Sequence, residues 1–291
     1  MIDLNNWKNK GELVKLNGYN IFTIVDGDPK KPTLLFIHGF PSASWDWEGM
    51  WDELIKHFYL VTLDMLGFGF SDKPINSDYL ITQQADIFEC FLNQLNIDSY
   101  HIIAHDYGDT VAQELLARQV KDAKHDNIKS VCLLNGGLFP ETHRPILIQK
   151  LLLSPLGSLI SKLNSKSIFS KNLHQIFGPN TPPCEEVIDN LWRLLVFNNG
   201  LAVTHKIIHY IKQRQEHRER WVGALIDAQI PIKLIVGLLD PISGKHMTNR
   251  YRELIPNPNV KELPLLGHYP QVESAKEVSD AYLVFRESMN R

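Results

Sequence analysis

The chain has 291 residues, 44% hydrophobic and 22% charged, with a formal net charge of -3 from 30 Lys+Arg against 33 Asp+Glu. That balance supports a sizeable core, excludes disorder, and gives no positive field to recruit nucleic acid. Cys90, Cys132 and Cys184 are an odd number without CxxC spacing, so no disulfide framework or zinc site is expected, and each reads as a reduced, buried thiol.

The opening MIDLNNWKNKGELVKLNG has no apolar signal core and no run of the roughly 18 apolar residues that a span needs, so a soluble, cytoplasmic protein is expected. Stretches 13–16 and 21–25 flank Asn17-Gly18 and predict a hairpin, because Asn-Gly accepts the positive φ angles of a two-residue turn. Buried strands are expected at 33–37, 59–63, 100–104, 130–134, 233–236 and 260–263, with helices at 83–95 and 110–119. This alternation is the pattern of a parallel sheet with crossover helices.

From 139 to 228 the alternation stops. Pro and Gly breaks and helical apolar spacing predict a helical lid there, inserted into a core of 1–138 and 229–291. Within the lid, 146–160 is apolar but broken by Gln149, Lys150, Ser154, Pro155 and Gly157, and reads as amphipathic or interfacial packing. The run KQRQEHRER at 212–220 mixes both signs of charge and reads as a solvated helix face.

The chemistry concentrates in Ile102-Ile103-Ala104-His105-Asp106-Tyr107-Gly108, an apolar strand entering a small-X-nucleophile-X-small turn. Small residues at Ala104 and Gly108 allow a crowded elbow that lifts its apex residue clear of the sheet. That apex is Asp106, whose carboxylate is already ionised and suits displacement at a saturated carbon, leaving an ordinary ester. Asp240 follows a strand end, and His268 lies in the loop LLGHYP, which completes the order nucleophile, acid, histidine. Asp240 would fix the tautomer of His268, and His268 would deprotonate the water that hydrolyses the ester.

Phe40, in FIHGFP, and Tyr107 would donate the backbone amides of an oxyanion hole, with His38 structural. DMLGFGFSDKP at 64–74 lacks the phosphate-loop lysine and reads as a tight turn. His205 and His209 stand at i, i+4 without the HExxH glutamate, so no metal is expected.

HGFP at 38–41, DMLGFGFSDKP, HDYGD at 105–109, Asp240 and GHYPQVE at 267–273 closely resemble the epoxide hydrolase and haloalkane dehalogenase branch of the α/β-hydrolases. NGGLFPETHRP at 135–145 and RERWVGAL at 218–225 further resemble the mesoderm-specific transcript protein family, into the lid. The resemblance implies an α/β-hydrolase fold, a mostly parallel eight-stranded sheet flanked by helices, and an Asp-His-Asp triad. Haloalkane dehalogenases carry a Trp after the nucleophile where this chain has Tyr107, and fluoroacetate dehalogenases carry arginines where it has Asp109 and Thr110. Epoxide hydrolases present two lid tyrosines; this lid offers Tyr210, with Trp221-Val222 where the second is expected and His143 as a substitute donor.

The expectation is therefore an epoxide-hydrolase-like enzyme acting on a small, neutral, apolar substrate and water without a cofactor. Asp106, Asp240 and His268 are its catalytic residues, Phe40 and Tyr107 its oxyanion hole, and Tyr210, His143 and Trp192 its substrate contacts. A haloalkane dehalogenase using Trp192 or Trp221 as halide cradle, an esterase or lactonase, and a non-catalytic binding protein are the alternatives.

Overall fold

The computed structural model describes residues 3–122 and 126–289. Eight strands form one sheet: β1 (Glu12–Leu16), β2 (Tyr19–Asp26), β3 (Thr33–Ile37), β4 (Tyr59–Leu63), β5 (Tyr100–His105), β6 (Ile128–Leu134), β7 (Ile232–Gly237) and β8 (Val260–Leu263). Their order is β1-β2-β4-β3-β5-β6-β7-β8. β2 runs antiparallel to both neighbours, and every pairing from β4 to β8 is parallel. The hairpin turns at Asn17 and Gly18, with φ of 47° and 89°.

Every residue of β3 and of β5 is buried, which explains why both read as continuous apolar runs. Successive side chains point to opposite faces: Leu35, Ile37 and Ile102 join one core cluster, and Leu34, Phe36 and Ile103 the other. Each layer is closed by helices.

The first half contributes α1 (Leu4–Lys10), α2 (Glu48–Leu54), α3 (Ile81–Gln94) and α4 (Tyr107–Lys121). α1 has no counterpart in the sequence reading, because its seven residues bury only Leu4 and Trp7; the Trp7 indole packs edge-on against Trp51 at 5.0 Å. α4 begins three residues before the expected start, directly after Asp106, as a tight elbow requires.

Between β6 and β7 the described chain is helical: α5 (Leu147–Leu152), α6 (Gly157–Lys162), α7 (Lys166–Ile176), α8 (Glu185–Val196), α9 (Leu201–Ile207), α10 (Tyr210–Glu216) and α11 (Arg218–Asp227). α11 lies along α4. The 212–220 run departs from its expected role. It divides at His217 between α10 and α11, and Gln213 and Arg214 are buried: the Gln213 side chain caps Ile81 N at 2.9 Å. The last helices are α12 (Lys245–Leu254), α13 (Pro270–Glu273) and α14 (Ala275–Ser288). Of the cysteines only Cys132 is buried, with Cys90 intermediate and Cys184 exposed at the start of α8, which corrects the expectation of three buried thiols. Among the described residues no helix is long and apolar enough to cross a membrane.

Candidate active site

Asp106 stands at the end of β5 with φ 47° and ψ -104°, a backbone that costs a non-glycine residue about 1–3 kcal/mol. The turn is tight because α4 starts at once beside β3: a Cβ added to Gly108 would lie 2.3 Å from the Ile37 carbonyl oxygen. The Asp106 amide donates to Leu134 O at 3.1 Å, which fastens the elbow to β6. Its side chain lines a cavity shared with His268 and Phe40, walled mostly by apolar residues such as Ile148, Leu152, Phe169 and Leu173, with Gln149, Asn164, Asn172 and Thr204 among them.

The Phe40 amide donates to Asp106 Oδ2 at 3.3 Å. Tyr107 is the first residue of α4, where backbone amides are left without helical partners. The Phe40 amide thus already points at a carboxyl oxygen of Asp106, and Tyr107 adjoins Asp106 in the chain.

Asp240 follows β7 and is enclosed by donors. Its Oδ2 accepts from His268 Nδ1 at 2.9 Å, Ser243 Oγ at 2.7 Å and Asn135 Nδ2 at 3.0 Å, while Oδ1 accepts from Ile242 N at 2.7 Å. Burial alone would raise its pKa, but His268, Asn135 and Ser243 bring it down to about 2. Burial likewise opposes the charge on His268, yet Asp240, then Asp106 and Glu273, lift it to about 9. Both shifts favour the charged forms of the buried Asp240 and His268 pair.

The His268 loop is held from three sides. His268 N donates to Ile176 O at 2.8 Å. Glu273 accepts from the amides of Gly178 and Gly267 at 2.8 Å and of Tyr269 at 3.1 Å. His105, neutral because burial and then His268 push it down to about 3, donates from Nε2 to His268 O at 2.8 Å.

Arg214 of α10 is the residue the sequence reading passed over. Its Nη2 donates to the Asp106 carbonyl at 2.8 Å and lies 3.5 Å from Oδ1, while Nε donates to Thr110 Oγ1 at 2.7 Å. The guanidinium also covers the Tyr210 ring at 4.5 Å. A Cβ on Gly137 would meet Nη1 at 2.3 Å, so the glycine in NGGLFP leaves room for this cation. The mixed charge of 212–220 concealed it; the only sequence signal is its position one turn beyond Tyr210, on the same face of a helix.

The remaining candidates divide. Tyr210 is buried beside Tyr107, ring centroids 4.8 Å apart, and burial followed by the Asp106 charge raises its phenol, which stays protonated. Both ring nitrogens of His143 are buried without a partner among the described residues; burial, then Arg214, lowers it to about 4. Trp192 stands behind the cavity wall, 5.7 Å from the Phe169 ring; none of Trp192, Tyr210 and His143 is in the cavity lining, and Tyr210 approaches it through Phe40, ring centroids 6.0 Å apart. The Trp221 indole is spent on Glu114 at 2.8 Å.

His38 is structural: it accepts from Met65 N at 3.0 Å and contacts Gly39 O at 2.9 Å, with burial lowering it to about 4. The 64–74 turn closes around Asp64, which accepts from Ser44 N at 2.8 Å and Phe70 N at 2.7 Å. His209 Nδ1 contacts His205 O at 2.9 Å, which ties that pair to its own backbone. A more open groove lined by Leu92, Leu115 and Arg118 lies away from Asp106, and its arginine is paired with Asp86, Glu89 and Glu114.

The profile of the alpha/beta hydrolase fold family matches residues 32–275. The mesoderm-specific transcript protein of Mus musculus is 42% identical over 294 residues, covering 97% of this chain and 87% of that protein. Among solved structures, an alpha/beta hydrolase fold protein from Burkholderia ambifaria superposes with TM-score 0.79 at 19% identity, covering 98% of both chains. A haloalkane dehalogenase loop variant from Bradyrhizobium elkanii does so with TM-score 0.78 at 17% identity, over 96% of this chain and 98% of the other. The chain belongs to the α/β-hydrolase fold family and is related along nearly its whole length to the mesoderm-specific transcript proteins.

Proposed function

We propose that this α/β-hydrolase works through a covalent alkyl ester on Asp106 and opens epoxides of small, apolar molecules. The observation that carries the reading is an aspartate, not a serine, at the strained apex of the elbow, sharing an apolar cavity with His268. One carboxylate oxygen of Asp106 attacks a ring carbon, the carbon–oxygen bond to the ring breaks, and the new alkoxide takes a hydrogen bond from Tyr210. The proton it needs comes from His268, which the Asp240 carboxylate biases toward its protonated form.

Forming the ester removes the negative charge of Asp106, one of the groups that hold His268 high, and the proton given to the alkoxide leaves the imidazole neutral, the form that can accept a proton in the second step. It takes a proton from water as the water oxygen attacks the ester carbonyl. The oxyanion falls to the Phe40 and Tyr107 amides, and collapse releases a diol with Asp106 restored. The balance is one water added per epoxide.

Halide chemistry has less support. Position 107 is Tyr, the Trp221 indole is committed to Glu114, and Trp192 lies behind Phe169. The lid is proposed as residues 139–228 inserted in a core of 1–138 and 229–291, and its α5 and α7 supply much of the cavity wall.

The test incubates a His268→Gln variant with panels of epoxides and of haloalkanes and measures intact mass, with Asp106→Ala/His268→Gln as control. A gain of one whole epoxide on the Asp106 peptide is expected. A gain of an alkyl group without its halogen would transfer the reading to dehalogenation, and no adduct from either panel would refute an ester-forming Asp106 for both classes.

A further inference from the structure

The outer face of the helical insertion is built unlike the rest of the surface. Leu147, Leu156, Leu159 and Leu163 are 72%, 63%, 54% and 64% exposed, and Leu151 and Ile168 are exposed with them. They are not scattered. Leu147 and Leu151 lie one turn apart on α5, and Leu156, Leu159 and Leu163, at i, i+3 and i+7, are the N-cap, an interior residue and the C-cap of α6, which packs against α5. Ordinary soluble surfaces carry such leucines singly; a cluster of them marks a surface with a partner.

Charge identifies the partner. The sequence from 142 to 184 contains Arg144, Lys150, Lys162, Lys166 and Lys171 and no acidic residue, in a chain whose net charge is -3. Lys166 is paired with Asp189 of α8. Lys150, Lys162 and Lys171 are exposed and have no carboxylate within 4.0 Å among the described residues. Exposed leucines accompanied by unpaired lysines, on short helices that pack against each other, form a face that complements an anionic lipid surface.

One of these helices, α5, also walls the cavity. Ile148, Gln149 and Leu152 of α5 line the space that holds Asp106 and His268, while Leu147 and Leu151 of the same helix face outward. We infer that this leucine and lysine face docks on an anionic phospholipid bilayer, so that an apolar substrate passes from the membrane into the cavity without crossing bulk water. Docking requires no catalytic step and stands or falls separately from the ester mechanism.

The test is co-flotation of the full chain with vesicles of equal parts phosphatidylcholine and phosphatidylglycerol, and with phosphatidylcholine alone. Binding to the anionic vesicles is expected, weakening with salt. The variant Leu156→Ser/Leu159→Ser/Leu163→Ser should lose roughly tenfold or more in partitioning, with its thermal unfolding unchanged because the three side chains are exposed. Lys150→Gln/Lys162→Gln/Lys171→Gln should lose about fivefold per charge on anionic vesicles, and Val284→Ser, an exposed apolar residue of α14, should bind as the parent does. Failure of the parent to float, or equal flotation of parent and leucine variant, overturns the proposal. So does a concentration-dependent dimer that the leucine substitutions dissolve while vesicles stay unbound, which would assign the face to a second copy.

Discussion

The strand ends and the helical insertion over them solve different problems. At the strand ends every reactive group is fixed by short-range backbone: Asp106 by the elbow, Asp240 by the turn after β7, His268 by a loop pinned through Glu273. The insertion supplies apolar wall, an exposed leucine face and two reaches back to the site: Arg214 against Asp106, and the end of α7, where Ile176 O and Gly178 N hold the His268 loop. The difference teaches that the proposed reaction would be set by the sheet and access by the insertion, with Arg214 of α10 and the end of α7 crossing between them.

Substitutions can break or sharpen that division. His268→Gln should slow hydrolysis of the Asp106 ester by about a hundredfold to ten-thousandfold while leaving its formation possible, read as the decay of the trapped adduct. Arg214→Met removes one partner of a fully buried charge contact and should destabilise the fold by about 3–5 kcal/mol in denaturant unfolding, with Arg214→Lys recovering part of it. An unchanged unfolding curve would show that the insertion does not brace the elbow.

The buried pair gives a pH signature with opposite limbs. His268 is raised from its ordinary value to about 9, so its stabilisation is complete below about pH 6.5 and is lost as pH rises through 9. Asp240 is lowered to about 2, so its contribution is present above about pH 3.8 and is lost as pH falls through 2. Unfolding free energy should therefore decline from near neutral to pH 9, and Asp240→Asn should flatten that limb. The smallest effect is expected at Trp192→Phe, which keeps a ring against Phe169 behind the cavity and should change adduct formation by less than about threefold.

Much of the sheet was legible because its strands are apolar runs ending in turn chemistry; β3, β4 and β8 have the expected bounds, and β5 gains only His105. Asp106, Asp240 and His268 were legible as a spaced motif on those strand ends. Arg214 was not, because a buried cation inside KQRQEHRER cannot be told from a solvated one until its partner is placed, and that partner is 108 residues away. Asn135 and Ser243 escaped for the same reason: each reaches Asp240 through a turn geometry that no periodicity encodes. The exposed leucines of α5 and α6 were visible as an amphipathic stretch, but only the fold separates the residues that line the cavity from those that face outward.

The most direct test of the central claim is a single turnover of an epoxide that alkylates the enzyme, run in water enriched in oxygen-18, followed by mass analysis of the Asp106 peptide and of the diol. If Asp106 is the nucleophile, the label enters its carboxylate and the first diol released carries none. Label in the diol, with the Asp106 peptide unlabelled, would mean that water attacks the substrate directly and would contradict the account.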